Sequence, residues 1–195
     1  MRNDRTNMTL DDPKDLRWKC SSCEEWHTGP MLDIGYDSPY CWTKKHAEAE
    51  RTARLLPSRN YERPKTFLTE DICVIDDKAF FVRGVIHLPI IGAGETFRWG
   101  VWGSLSRENF EKLLEMEEDP KSVELPAMFS WLSTRIDDYP DTLNLKMYAH
   151  IQPVGARPTF FLEMTGHPLA QEYHHGISAE RVKEIMMKQV KELRG

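Results

Sequence analysis

The chain has 195 residues, a formal net charge of -5, and 40% hydrophobic residues that include 8 Phe, 6 Trp and 6 Tyr. That length suits one domain with at most a small appendage, and the aromatic content can fill a core, which excludes wholesale disorder. The acidic balance provides no overall field for a phosphate backbone, so nucleic-acid binding is not expected.

No window approaches the roughly 20 apolar residues of a membrane helix, so no membrane association is expected. Residues 1–17 are polar and lack the apolar run of a secretion signal, which points to a cytoplasmic protein with a flexible leader. In that reducing setting the four cysteines read as thiols or metal ligands, not as a disulfide framework.

Residues 18–42 form a loop-rich head carrying Gly29-Pro30, Gly35 and Ser38-Pro39, with Trp18, Trp26, Tyr36, Tyr40 and Trp42 among them. Thr43 can cap a helix that Pro57 stops near residue 56. That helix is poor in apolar residues and begins a stretch, 44–65, with seven basic and three acidic residues, which reads as a solvated surface.

The pattern then changes. Residues 72–75 read as a short strand, Asp76-Asp77-Lys78 as a turn, and 79–90 as a long β-branched and aromatic strand. Residues 96–105, TFRWGVWGSL, form the next strand, where Gly100 and Gly103 suggest a bulge or a close backbone approach. Ser106 can cap a helix over 107–118 with Phe110, Leu113 and Leu114 on one stripe. Strands over 142–152 and 157–164 follow, joined by a turn at 153–156. His174-His175 falls in a loop before a last helix capped by Ser178, where Val182, Ile185, Met186, Val190 and Leu193 share a face.

Short connections between successive strands favour antiparallel pairing. The expected fold is therefore α+β: an antiparallel sheet of about five strands with helices packed on it. The expected organisation is a leader over 1–17 and a single domain over 18–195, with 18–42 as a metal-binding head of the zinc-ribbon kind.

The most specific chemistry lies in that head. Cys20 and Cys23 are spaced to grip one metal ion from a tight turn, and His27 can add a third ligand. Structural zinc takes four such ligands. The fourth is Cys73, in a strand that could lie beside the turn, or Cys41. Ordinary reduced thiols and a redox pair are the alternatives; the redox reading lacks a helix start that would lower the thiol pKa, and Glu24 and Glu25 act against it.

Cys20-x-x-Cys23-x-x-x-His27, Cys73-Val74-Ile75-Asp76 and Phe80-Phe81-Val82-Arg83-Gly84 together resemble an uncharacterised bacterial family, domain of unknown function 2199. Trp99-Gly100-Val101-Trp102 with Ser104-Leu105-Ser106, the run from Tyr139 to Leu145, and His167-Pro168-Leu169 fit it as well. The resemblance spans about residues 18–190 and brings no established activity. It implies Cys20, Cys23, His27 and Cys73 as the ligand set, because Cys73 belongs to the family pattern and Cys41 falls outside it. The chain departs from the pattern at Glu24, where the family usually has glycine.

A second polar constellation comprises Asp141, Asn144, His150, Arg157, Glu163 and His167. On a strand over 142–152, Asn144, Lys146, Tyr148, His150 and Gln152 would share a wet face and Leu143, Leu145, Met147, Ala149 and Ile151 an apolar one. His87 and Arg98 are further candidates for that face. Two functions compete, ahead of nucleic-acid binding through the helix from 44 to 56, which the net charge disfavours. One is a non-enzymatic binding domain with structural zinc and a protein partner. The other is a small-ligand binder or enzyme using His150, Arg157 and His167, which needs a cleft that brings them together.

Overall fold

The structure, a computed structural model, describes residues 17–19, 26–28, 32–55, 64–116 and 118–192. Its elements in chain order are β1 (Arg17–Lys19), β2 (Trp26–Thr28), β3 (Asp33–Gly35), α1 (Lys44–Leu55), β4 (Phe67–Leu68), β5 (Ile72–Ile75), β6 (Ala79–Pro89), β7 (Thr96–Leu105), α2 (Arg107–Glu115), β8 (Met128–Trp131), β9 (Lys146–His150), β10 (Thr159–Leu162), α3 (Pro168–His175) and α4 (Ala179–Glu192). A 3-10 turn covers Pro120–Glu124. The expected leader lies outside these residues apart from Arg17. Contacts divide the chain into two units, Asp33–Ile177 and Met1–Leu32 with Ser178–Gly195.

Within Asp33–Ile177 the described strands form one eight-stranded sheet. Its path is β3-β7-β6-β10-β9-β8, with β5 added to β6 and β4 to β5. The sheet is mixed: β3 runs parallel to β7 and β10 parallel to β6, while the other pairs are antiparallel. This corrects the expectation of about five antiparallel strands. The additional strands β3, β4 and β8 have three, two and four residues, too short to show a clear period of two. The parallel neighbours are far apart in sequence, so no short turn announces them.

The β6–β7 ladder runs from Phe80↔Leu105 to Pro89↔Thr96 without interruption. Gly103 therefore marks a close approach and not a bulge. A Cβ there would stand 2.6 Å from Met147 Cε and 2.7 Å from Phe160 Cζ. The open sheet curls until Leu132, just beyond β8, bridges Gly103 on β7. Trp99, Trp102, Phe97 and Phe160 are fully buried here. Each such side chain stabilises the fold by roughly 1.5–3 kcal/mol relative to exposure.

The three-residue β5–β6 connection, Asp76-Asp77-Lys78, holds Asp76 and Asp77 at φ 53° and 51°, in the left-handed region, and the Lys78 N–H closes it on the Ile75 carbonyl at 3.0 Å. Arg107 pairs with Asp77 at 3.0 Å and so ties the turn to α2. Ser106 caps α2 by accepting from the Asn109 N–H, and Phe110 stacks on Phe80 with ring centroids 5.1 Å apart. The region read as a loop before the last helix holds α3. His167 caps it through Nδ1, which accepts from the Leu169 N–H, and Pro168 occupies its first position. His174 and His175 end this helix.

In the other unit β1 and β2 pair as Arg17↔Thr28, Trp18↔His27 and Lys19↔Trp26, an antiparallel hairpin. Ser178 Oγ accepts from the Arg181 N–H at the start of α4, and Val182, Ile185 and Met186 are buried as expected.

Candidate functional site

The long strand β6 uses one edge twice. Its first half pairs with β5, ending at Ile72↔Val82; further along, Val85 pairs with Thr159 of β10. The Arg83 N–H donates to the Asp71 carbonyl at 2.7 Å and the Val85 N–H to the Pro158 carbonyl at 2.9 Å. Two strands of opposite direction thus diverge from one edge across a single residue, Gly84. A Cβ at Gly84 would lie 2.5 Å from Phe160 Cε2 and 2.7 Å from the Pro158 carbonyl oxygen. Only glycine lets both strands reach β6.

A fork in strand order leaves a crevice, as at the switch points where open α/β sheets place ligands. Here a cleft of about 430 Å³ opens at the fork. Leu113, Leu114 and Met116, at the end of α2, wall one side; Ile151 and Val154 come from the β9–β10 connection. Glu70, Asp71, Arg83, Gln152 and Arg157 contribute its polar groups.

Arg157 is doubly held: Nε donates to Asp71 Oδ1 at 2.7 Å and a terminal nitrogen donates to Glu70 Oε1 at 2.6 Å. Burial alone would lower its pKa, but the hydrogen bonds and charges of Asp71 and Glu70 outweigh burial and raise it. Arg83 is different. It is 7% exposed, and its nearest carboxylate among the described residues, Asp37 Oδ1, is 3.8 Å away and exposed. One terminal nitrogen donates to the Glu70 carbonyl at 3.4 Å, and Nε has no hydrogen-bond partner among the described residues. Burial, followed by the positive charge of Arg157, pulls the Arg83 pKa down. A buried donor without an acceptor costs about 1–3 kcal/mol.

Of the expected polar constellation the cleft takes Arg157, and from the expected wet strand face it takes Gln152. His150 pairs with Thr159 near the hairpin turn and stacks on Phe161, with ring centroids 4.2 Å apart. His167 caps α3, beyond the opposite end of β10. Asp141 caps a turn at Leu143 and pairs with Arg135, while Glu163 lies 3.9 Å from Lys146. Asn144 is outside the strand, at φ 62°. His87 pairs across the ladder with Arg98, which is ion-paired to Asp33.

The alternation of β9 holds where the strand is formed. Met147 and Ala149 are buried, and Tyr148 is exposed beside Phe129 and opposite Phe161. That outer face is therefore more aromatic than expected.

Cys20 and Cys23 lie outside the described residues, and His27 is in β2. Cys73 is fully buried against Phe81 and Trp102. Its thiol is pushed up to about 12, mainly by burial and then by the negative charges of Cys41 and Glu50. Among the described residues no group of three His, Cys, Asp or Glu side chains is arranged to hold a metal ion. Coordination deprotonates a thiol, so a metal at Cys73 would have to reverse this shift.

Sequence reasoning missed Arg83, Glu70 and Asp71 as site residues. One signal was present: a cation in the apolar run AFFVRGVIHL, directly before a glycine. Among the described residues no helix is long and apolar enough to cross a membrane. No curated protein and no solved structure matches the chain. The model of a family described as "uncharacterized protein conserved in bacteria (DUF2199)" matches residues 19–177. The motifs quoted above all fall within that match, and the chain belongs to this bacterial family of unknown function.

Proposed function

We propose that the chain is a non-enzymatic binding domain whose ligand enters the cleft at the strand fork. The supporting observation is Arg83, a buried cation among the residues that line the cleft, whose Nε has no hydrogen-bond partner among the described residues. The volume falls in the lower part of the roughly 300–1,000 Å³ range of small-molecule sites. Among the described residues the lining offers arginines, carboxylates, an amide, the Ser122 hydroxyl and apolar groups, but neither histidine nor cysteine. A reaction shared by His150, Arg157 and His167 would need all three in one place, and Arg157 alone lines the cleft. The test is ¹H–¹⁵N shift mapping of the full chain against a set of small organic fragments. Shifts gathered on Glu70, Arg83, Gln152 and Arg157 are expected; shifts scattered over the surface would overturn the proposal.

Structural zinc at Cys20, Cys23, His27 and Cys73 is a second proposal, supported by the ligand spacing and by the β1–β2 hairpin that brackets the two head cysteines. Protein prepared without chelator should carry about one zinc per chain, lost in both Cys20→Ser and Cys73→Ser. Metal-free wild-type protein would remove this proposal. Retention in Cys73→Ser would remove Cys73 from the set.

A further inference from the structure

We propose that the fork cleft takes an amphipathic monoanion, a carboxylate with a short apolar tail. This rests on the binding reading above and adds the class of ligand. Two arginines face different demands. Arg157 already meets two carboxylates at 2.6 and 2.7 Å, whereas among the described residues the nearest carboxylate to Arg83 is 3.8 Å away. A guanidinium presents a planar fork of donors that matches a carboxylate, and it is the less hydrated of the basic groups when buried. Arg83 is therefore the cation with capacity for an incoming acid.

The charge balance selects the head group. Glu70 and Asp71 contribute two negative charges, and Arg83 and Arg157 two positive, a formal sum of zero. A monoanion adds one charge to a neutral lining. A phosphate dianion would add two beside Glu70 and Asp71, with correspondingly greater repulsion. The wall selects the tail: Leu113, Leu114, Met116, Ile151 and Val154 provide no charge and favour methylene groups.

The experiment is a set of ¹H–¹⁵N titrations of the full chain with octanoate, 1-octanol and inorganic phosphate. Octanoate should move the cleft residues. Octanol should bind at least about tenfold more weakly, since a charge-assisted hydrogen bond is lost, and phosphate should bind more weakly still. Arg83→Met should weaken octanoate at least about tenfold and leave octanol unchanged. Val154 is 53% exposed, so Val154→Asp keeps the test open if Arg83→Met fails to fold. It places a carboxylate at the cleft and should weaken octanoate more than octanol. Octanol binding as tightly as octanoate overturns the anion assignment and leaves the cleft reading intact. Phosphate binding as tightly as octanoate overturns the choice of a carboxylate with a tail. Cleft residues unmoved by all three probes overturn this inference and count against the binding reading as well.

Discussion

Arg83 is costly where it stands. Removing a guanidinium from water is expensive unless close partners replace the water, and its partners here are distant or weak. The residue was legible as an oddity, a charge within an apolar strand, but its surroundings were not. Asp37, Glu70 and Arg157 reach it from segments up to 74 positions away, and no local pattern encodes that. Cys73 is the reverse case. Its strand was legible, and its full burial follows from pairing with Phe81 and Leu68. With its thiol near 12, almost no thiolate exists at pH 8, and the thiolate is the reactive form. In metal-free native protein an alkylating reagent at pH 8 should therefore modify the exposed Cys41 well before Cys73. Peptide mapping would show Cys73 labelled only after denaturation. Equal labelling of the two in the native state would contradict the burial described.

The elements divide by length. β5, β6, β7, α1 and the start of α2 fall where periodicity, turn chemistry and capping residues place them, because each carries several agreeing local signals. β3, β4 and β8 have two to four residues and owe their existence to their neighbours. The predicted strand over 142–152 shortens to Lys146–His150 because 142–145 turns, with Asn144 in the left-handed region. α3 had a readable start, a capping side chain followed by proline, in His167-Pro168.

The fork itself depends on one small residue. Gly84→Ala should destabilise the chain by about 2–3 kcal/mol, at the upper end of overpacking costs, because the Pro158 carbonyl is backbone and cannot rotate away. Chemical denaturation would measure it, and a loss below about 0.5 kcal/mol would mean the two strands do not crowd this residue.

At the scale of the molecule, the sequence indicated a mixed helix-and-sheet protein and its bacterial family, but not a cleft. The cleft exists because β5 and β10, 87 positions apart at their first residues, meet on one strand edge, and because α2 ends beside them. Pairing of that range leaves no periodic trace. The polar row that the sequence did display is spread along a hairpin, with His150 near one end and Glu163 beyond the other. The zinc set and the cleft are independent proposals, so failure of either leaves the other standing.

The central claim is that the fork cleft is a ligand site. Its most direct measurement is the fragment shift map repeated on Leu114→Trp, which fills the cleft from its apolar wall. Fragments that move Arg83 and Arg157 in the wild-type chain should no longer do so in the filled one, while the melting temperature stays within a few degrees. Undiminished binding in the filled chain would contradict the claim.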